Sequence, residues 1–148
     1  MKTMAYTMVG RTSVNVYAAD SPDDAEWDTY LRYRTKHMGD IERVLIHTRG
    51  GSASMEQRER LIRIPPRALH VPGAVITSSG YVRAMYRVNQ YALWKVFSET
   101  EWAEAFRHLG LRDDERPAVF SAMERLSASL NLPCPPFPND IPNVHKRP

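Results

Sequence analysis

The chain of 148 residues has a single cysteine, Cys134. This excludes an intrachain disulfide framework and any cysteine-rich zinc site, and it fits a reducing compartment. Histidine is also sparse. His37, His47, His70, His108 and His145 are scattered, no two of them at i,i+4 metal spacing and none in a His-Glu-x-x-His motif. The Gly-x-Ser-x-Gly of a nucleophile elbow is missing, and so is the Gly-x4-Gly-Lys-[Ser/Thr] of a P-loop. No stretch approaches the roughly 18 apolar residues of a membrane span. The opening Met1-Lys2-Thr3-Met4-Ala5-Tyr6 lacks the apolar run of a signal peptide. These absences lead to the expectation of a soluble cytoplasmic protein with no metal and no cofactor.

Charge of one sign is not concentrated either. Formal net charge is +3 and the isoelectric point is near 9.2, with acids dispersed among the arginines. A dedicated nucleic-acid binder usually clusters its basic residues. Tyr81, Arg83, Tyr86, Arg87 and Tyr91 could suggest stacking on RNA, but an amphipathic helix with half-buried aromatics explains them more simply. Nucleic acid is therefore not expected as a partner.

What is present is a globular composition, 43% hydrophobic and 25% charged. Its patterning alternates. Tyr6–Val9 and Ser13–Tyr17 read as a hairpin across Gly10-Arg11-Thr12. Ser21 and Pro22 read as the cap and first residue of a helix carrying Trp27, Tyr30, Leu31, Arg34 and Met38, with Gly39 at its end. Arg43–Thr48 and Gly73–Thr77 have continuous apolar centres, as strands buried on both faces do, and should be central neighbours. A weaker helix on Met55, Arg58, Leu61 and Ile62 stops at Pro65-Pro66. Val82, Met85, Tyr86, Asn89 and Leu93 mark a third helix, and Trp94–Phe97 a short strand. A Ser98–Glu101 capping box leads into Trp102, Ala105, Phe106 and Leu109, closed by Gly110. A last helix spans about Asp114 to Leu130, with Phe120, Met123, Leu126 and Leu130 inward. The order β-β-α-β-α-β-α-β-α-α implies a single α/β domain over residues 1–131, with a mixed, mostly parallel sheet flanked by helices. Pro133, Pro135, Pro136, Pro138, Pro142 and Pro148 make 132–148 a proline-rich C-terminal tail, extended or disordered or lying across the body, whose deletion from about Pro135 should shift melting by only a few degrees.

Two strand-to-helix turns attract attention. His47-Thr-Arg-Gly-Gly-Ser-Ala-Ser54 contains a Ser54-x-x-Gln57 capping box and a tight Gly50-Gly51 turn. Capping is the favoured reading of Ser54. Phosphorylation at Ser52 or Ser54, with Arg49 beside it, and binding of a phosphorylated ligand are the alternatives. Thr77-Ser78-Ser79-Gly80 is a second such turn, again read first as a cap. In a parallel sheet both turns lie at the carboxyl ends of strands, where ligands bind if the strand order reverses. Gly50, Gly51, Ser78, Ser79 and Arg83, with Arg49, are the candidate anion-binding rim. His47, at a strand end, is the histidine best placed for chemistry.

This succession of elements resembles the STAS domain, and in particular the small proteins of the anti-sigma-factor-antagonist type. The resemblance covers about Tyr6 to Leu111 and rests on Ser13–Tyr17, Arg43–Gly50, Gly73–Ser79, Trp94–Ser98 and Trp102–Leu111. That family carries Asp-Ser-[Ser/Thr]-Gly after its third strand, where a partner kinase phosphorylates a hydroxyl. Here the aspartate is missing, and Ser52 and Ser54 occupy the corresponding region. The resemblance implies a non-enzymatic regulatory or scaffold protein that works through protein–protein contacts. Its partner would be a regulatory or kinase-like protein, and homodimers would be compatible with it. The alternative is a small enzyme or binding protein for a phosphorylated or acidic small molecule at the same rim.

Overall fold

A computed structural model describes residues 2–64, 70–89, 93–135 and 137 of the chain, side chains at 88 and 89 excepted. The element order is the one the periodicities imply. Strands β1 (Met4–Val9) and β2 (Thr12–Tyr17) pair antiparallel across a two-residue turn in which Gly10 takes φ 58°. Strands β3 (Arg43–Thr48), β4 (Gly73–Thr77) and β5 (Trp94–Phe97) add in parallel, giving one mixed sheet in the order β1-β2-β3-β4-β5. β3 and β4 are neighbours in register Val44↔Gly73 to Thr48↔Thr77, and both are buried along their lengths.

The chain winds in one direction across the sheet. Right-handed crossovers then put α1 (Asp24–Lys36), α2 (Met55–Arg63) and α3 (Gly80–Asn89) on a single face. Helices α4 (Trp102–Leu109) and α5 (Arg116–Ser129) follow the last strand and cover the other. Alternation along the strands divides the core accordingly. Val14, Leu45, Ala74, Ile76 and Phe97 meet α4 and α5; Tyr17, Val44, Ile46 and Val75 meet α1, α2 and α3. Because the strand order never reverses, the crevice that a reversal opens in other α/β sheets is not formed.

Boundaries depart from the periodicities where loops compete for caps. α1 is capped by Asp23, whose carboxylate accepts the Glu26 N–H at 2.8 Å, while Ser21 and Pro22 lie before it. α1 stops at Lys36, before Gly39. At Ser98 only half of the predicted box forms. Glu101 accepts the Ser98 N–H at 2.8 Å, but α4 starts at Trp102, after a turn. Gly110 ends α4 at φ 72°, as expected of a left-handed stop. α5 starts two residues later than expected, with Pro117 in its first turn. In α2, Leu61 points inward but Ile62 is 48% exposed. Leu126 and Leu130 of the last helix are only half-buried.

The C-terminal segment is not entirely peripheral. Phe137 is 7% exposed and packs on Phe120 and Trp102, at ring-centroid distances of 4.2 Å and 5.2 Å. The helix stop at Pro65-Pro66, the Tyr91 side chain and the tail from residue 138 lie outside the described residues. Among the described residues no helix is long and apolar enough to cross a membrane.

Candidate functional site: the strand-end rim

Register Thr48↔Thr77 sets the ends of β3 and β4 side by side, so the two serine-containing turns share one edge of the sheet. The Thr77 hydroxyl fastens them by donating to the Thr48 carbonyl at 2.9 Å. Each turn then starts a helix with a serine cap. Ser54 Oγ accepts the Gln57 N–H at 3.1 Å while Gln57 Oε1 accepts the Ser54 N–H at 2.9 Å, a complete capping box. Ser79, not Ser78, caps α3, accepting the Val82 N–H at 3.2 Å.

Gln57 does more than close its box. It is buried, and its Nε2 donates to the Pro22 carbonyl at 3.0 Å and to Asp24 Oδ1 at 3.1 Å. Trp27 Nε1 donates to the Gln57 carbonyl at 2.8 Å. The start of α2 is thereby tied to the start of α1. The loop before it is tied as well. Arg49 N–H donates to the Tyr17 carbonyl, Gly51 N–H to the Ala18 carbonyl, and Ser52 N–H to Ser21 Oγ, at 3.1, 2.9 and 3.1 Å. Ser21 is thus used as an acceptor for the neighbouring loop, which is why it does not cap α1. A side chain at Gly51 would sit 2.4 Å from the Asp20 carbonyl oxygen, so only glycine allows the two loops to touch.

Two observations bear on the anion-binding rim. First, the amides of Arg49, Gly50, Gly51, Ser52 and Ser54 all donate to acceptors within the protein. A phosphate cradle needs such amides free. Second, both arginines act on groups of the protein itself. Side chains at 45, 47 and 49 share the α4/α5 face, and Arg49 Nη2 accordingly donates to the Pro133 carbonyl at 2.8 Å. Arg83, on α3, acts instead on Glu101, whose carboxyl is held below its ordinary value by the Ser98 N–H and hydroxyl, with the Arg83 charge adding to them.

His47 lies beneath this edge and is wholly buried. Its Nε2 is 3.0 Å from Glu99 Oε1, and its ring stands edge-on to Trp102 at 5.3 Å. An ionised Glu99 only accepts, which puts the imidazole proton on Nε2 and leaves Nδ1 as a bare acceptor. Neither Nδ1 nor Trp102 Nε1 has a hydrogen-bond partner among the described residues. Burial lowers the His47 pKa, Glu99 opposes this, and the nearby Arg49 charge assists it. So enclosed, the ring has a structural role: it holds the end of β3 against the β5–α4 turn. Cys134 is exposed, and burial together with Glu124 raises its thiol pKa against the pull of Arg49, so it is not an activated thiolate. Among the described residues no cluster of three or more His, Cys, Asp or Glu could hold a metal ion.

The most exposed large apolar side chains of the described residues lie on this same rim. Met55 is 66% and Tyr81 72% exposed, each within two residues of a serine cap. One turn further into these helices, Arg58 Nη1 contacts Met85 Sδ. Met55 and Tyr81 stand three and four residues before that contact, so they share one surface over the paired helix starts. Pattern reading placed both helices but could not distinguish these outward residues from inward ones. Compared with known proteins, the chain matches no family model, no curated protein and no solved structure.

Proposed function

We propose that the protein is a non-enzymatic regulatory or scaffold protein of STAS-like architecture, whose strand-end rim docks a protein partner. The observation that carries this reading is the exposure of Met55 and Tyr81 beside Ser54 and Ser79, on a rim held rigid by Gln57 and the Gly51 contact. Exposed aromatic and methionine side chains on a preorganised surface are the usual anchors of protein interfaces. The element order supports the likeness to anti-sigma-factor antagonists. Ser52 is the better-placed phosphoacceptor of the two loop serines, because the Ser54 hydroxyl is occupied by its cap. A phosphate there would add nearly two negative charges beside Met55 and so gate the docking.

The test is affinity purification from the native host with quantitative mass spectrometry, comparing the wild type with Met55→Glu and Tyr81→Glu. A stoichiometric protein partner with the wild type, lost from both variants at matched melting temperature, is the expected result. A bound small metabolite with no protein partner would instead favour the ligand-binding reading. A partner retained equally by all three proteins would remove the rim from consideration.

A further inference from the structure

We propose that β1 is a dimerisation edge, to which a second copy of this chain adds its own β1 antiparallel, joining two five-stranded sheets into one. β1 pairs only with β2 among the described residues, so its other side is an edge. The direction of its backbone groups can be read off. Ala18 N–H donates to the Thr3 carbonyl at 2.8 Å, so residue 3 directs its carbonyl toward β2 and residue 4 points away. Glu26 Oε2 accepts both the Thr3 N–H at 2.7 Å and the Met4 N–H at 3.0 Å, so this carboxylate covers the start of the edge. With the period of two, the N–H and carbonyl groups of Tyr6 and Met8 also face outward.

Beyond Met4 this edge lacks the usual protections. Met4-Ala5-Tyr6-Thr7-Met8-Val9 contains no charge and no proline, and its register with β2 runs without a bulge. Natural edges are commonly blunted by such features. The opposite edge, β5, has them: it is four residues long and carries the exposed Lys95. β1 is also held firmly in place. Tyr6 packs on Tyr30 and Tyr33 at 5.0 Å and 4.6 Å, and Val9 packs into the core under α4 and α5. It is therefore a preformed template and not a fraying end.

A second copy fits this edge by symmetry. Antiparallel pairing about Thr7 sets Tyr6 against Met8 of the second copy and the reverse, closing four backbone hydrogen bonds. The same register brings the Glu26 carboxylate, at the start of the edge, to the Gly10-Arg11 turn of the other copy, twice over. Arg11 is exposed, and its own pairing with Glu42 is a surface contact at 3.6 Å. Parallel addition would instead set Glu26 beside Glu26. The two-fold arrangement uses up both edges and closes at a dimer.

Size-exclusion chromatography with light scattering over a wide concentration range tests this, together with hydrogen exchange at the Tyr6 and Met8 amides. The expected mass is twice 17.0 kDa at high concentration, with both amides slowing as the dimer fills. Met8→Pro removes an outward N–H but none of the bonds to β2, and should leave a folded monomer. Arg11→Glu, in an exposed turn where unfolding is not at issue, should weaken the dimer tenfold or more. A wild type that stays monomeric with both amides unprotected at all concentrations overturns the proposal. So does a dimer that Arg11→Glu leaves unweakened and in which those amides exchange freely.

Discussion

The two faces of the sheet are built from alternate residues of the same strands, yet they differ in kind. On the α4/α5 face, Trp102, Phe106, Phe120 and Phe137 form a continuous set of ring contacts at 4.2–6.2 Å, laid over Val14, Leu45 and Ile76. On the α1–α3 face the sheet itself contributes Ser13, Asn15 and Tyr17. There Ser13 Oγ meets the Tyr33 hydroxyl at 2.9 Å, Asn15 Nδ2 reaches the Leu45 carbonyl at 3.3 Å, and Arg34 Nη1 donates to the Tyr30 hydroxyl at 2.9 Å. A small pocket of about 30 Å³ remains between this face and its helices, lined by Tyr17, Trp27, Tyr30, Arg34, Tyr86 and Trp94 among others. Both faces bury an apolar cluster, and the hydroxyl-rich face carries the helices whose starts form the rim. Titration divides them in the opposite sense. Burial pushes Tyr33 up to about 12 and Tyr17 well above its ordinary value, so these hydroxyls keep their protons even in alkaline solution. On the other face burial lowers the pKa of His47.

The largest effect separates the faces directly. Trp102→Ala empties the centre of the dry cluster and should cost about 3–5 kcal/mol in urea unfolding. Tyr33→Phe removes one hydroxyl from the polar face, where Ser13 keeps Asn15 as a partner, and should cost about 1 kcal/mol. Equal losses in the two variants would abolish the distinction.

The C-terminal segment sharpens it. Ending the chain at residue 135 removes Phe137 from the dry cluster and should cost about 2 kcal/mol. This reverses the small effect expected from proline content alone. Ending it at residue 139 keeps Phe137 and should leave the unfolding midpoint nearly unchanged. If both truncations behave alike, Phe137 does not contribute.

The pH response should come from the dry face as well. Burial lowers the folded-state pKa of His47 below its ordinary value of 6.5, which the unfolded chain retains. Between the two values the unfolded state binds more protons, so stability is complete above 6.5 and declines as pH falls below it. Melting temperature should drop between about pH 7.5 and pH 5.5, and the drop should shrink in His47→Gln, which can still donate to Glu99. An unchanged drop would assign the acid sensitivity to other groups.

What could be read from the sequence follows the range of each signal. β4 and β5 begin and end, and α4 ends, where their apolar patterns do, because dense local periodicity and the left-handed stop at Gly110 are properties of neighbouring residues. The Ser54–Gln57 box was legible for the same reason. The start of α1 was not, since Ser21 is claimed by Ser52 across 31 residues. Nor was the His47–Glu99 contact, which joins residues 52 apart and depends on the order of the strands. The contact of Arg49 with the Pro133 carbonyl was not legible either. Counting along β3 puts Arg49 with Leu45 and His47, and that count has meaning only once each face is known to be covered.

The smallest effect concerns the rim of the hydroxyl-rich face. The Ser54 side chain is a cap and its hydroxyl accepts one amide, so Ser54→Ala should cost about 1 kcal/mol. Ser54→Asp should be nearly neutral in stability, because aspartate caps equally well and its charge suits the start of α2. Ser52 differs: its amide is used by Ser21, and its side chain makes no hydrogen bond among the described residues. Ser52→Asp should therefore also be neutral in stability. It should nonetheless change partner affinity tenfold or more if the loop is a charge-gated switch. The phosphorylated chain must be measured beside the mimic, since phosphate carries more charge than a carboxylate. Equal partner affinity for the wild type, Ser52→Asp and the phosphorylated form would show that this loop only builds the rim. A large change in affinity at constant stability would show that the hydroxyl-rich face is also the regulated one.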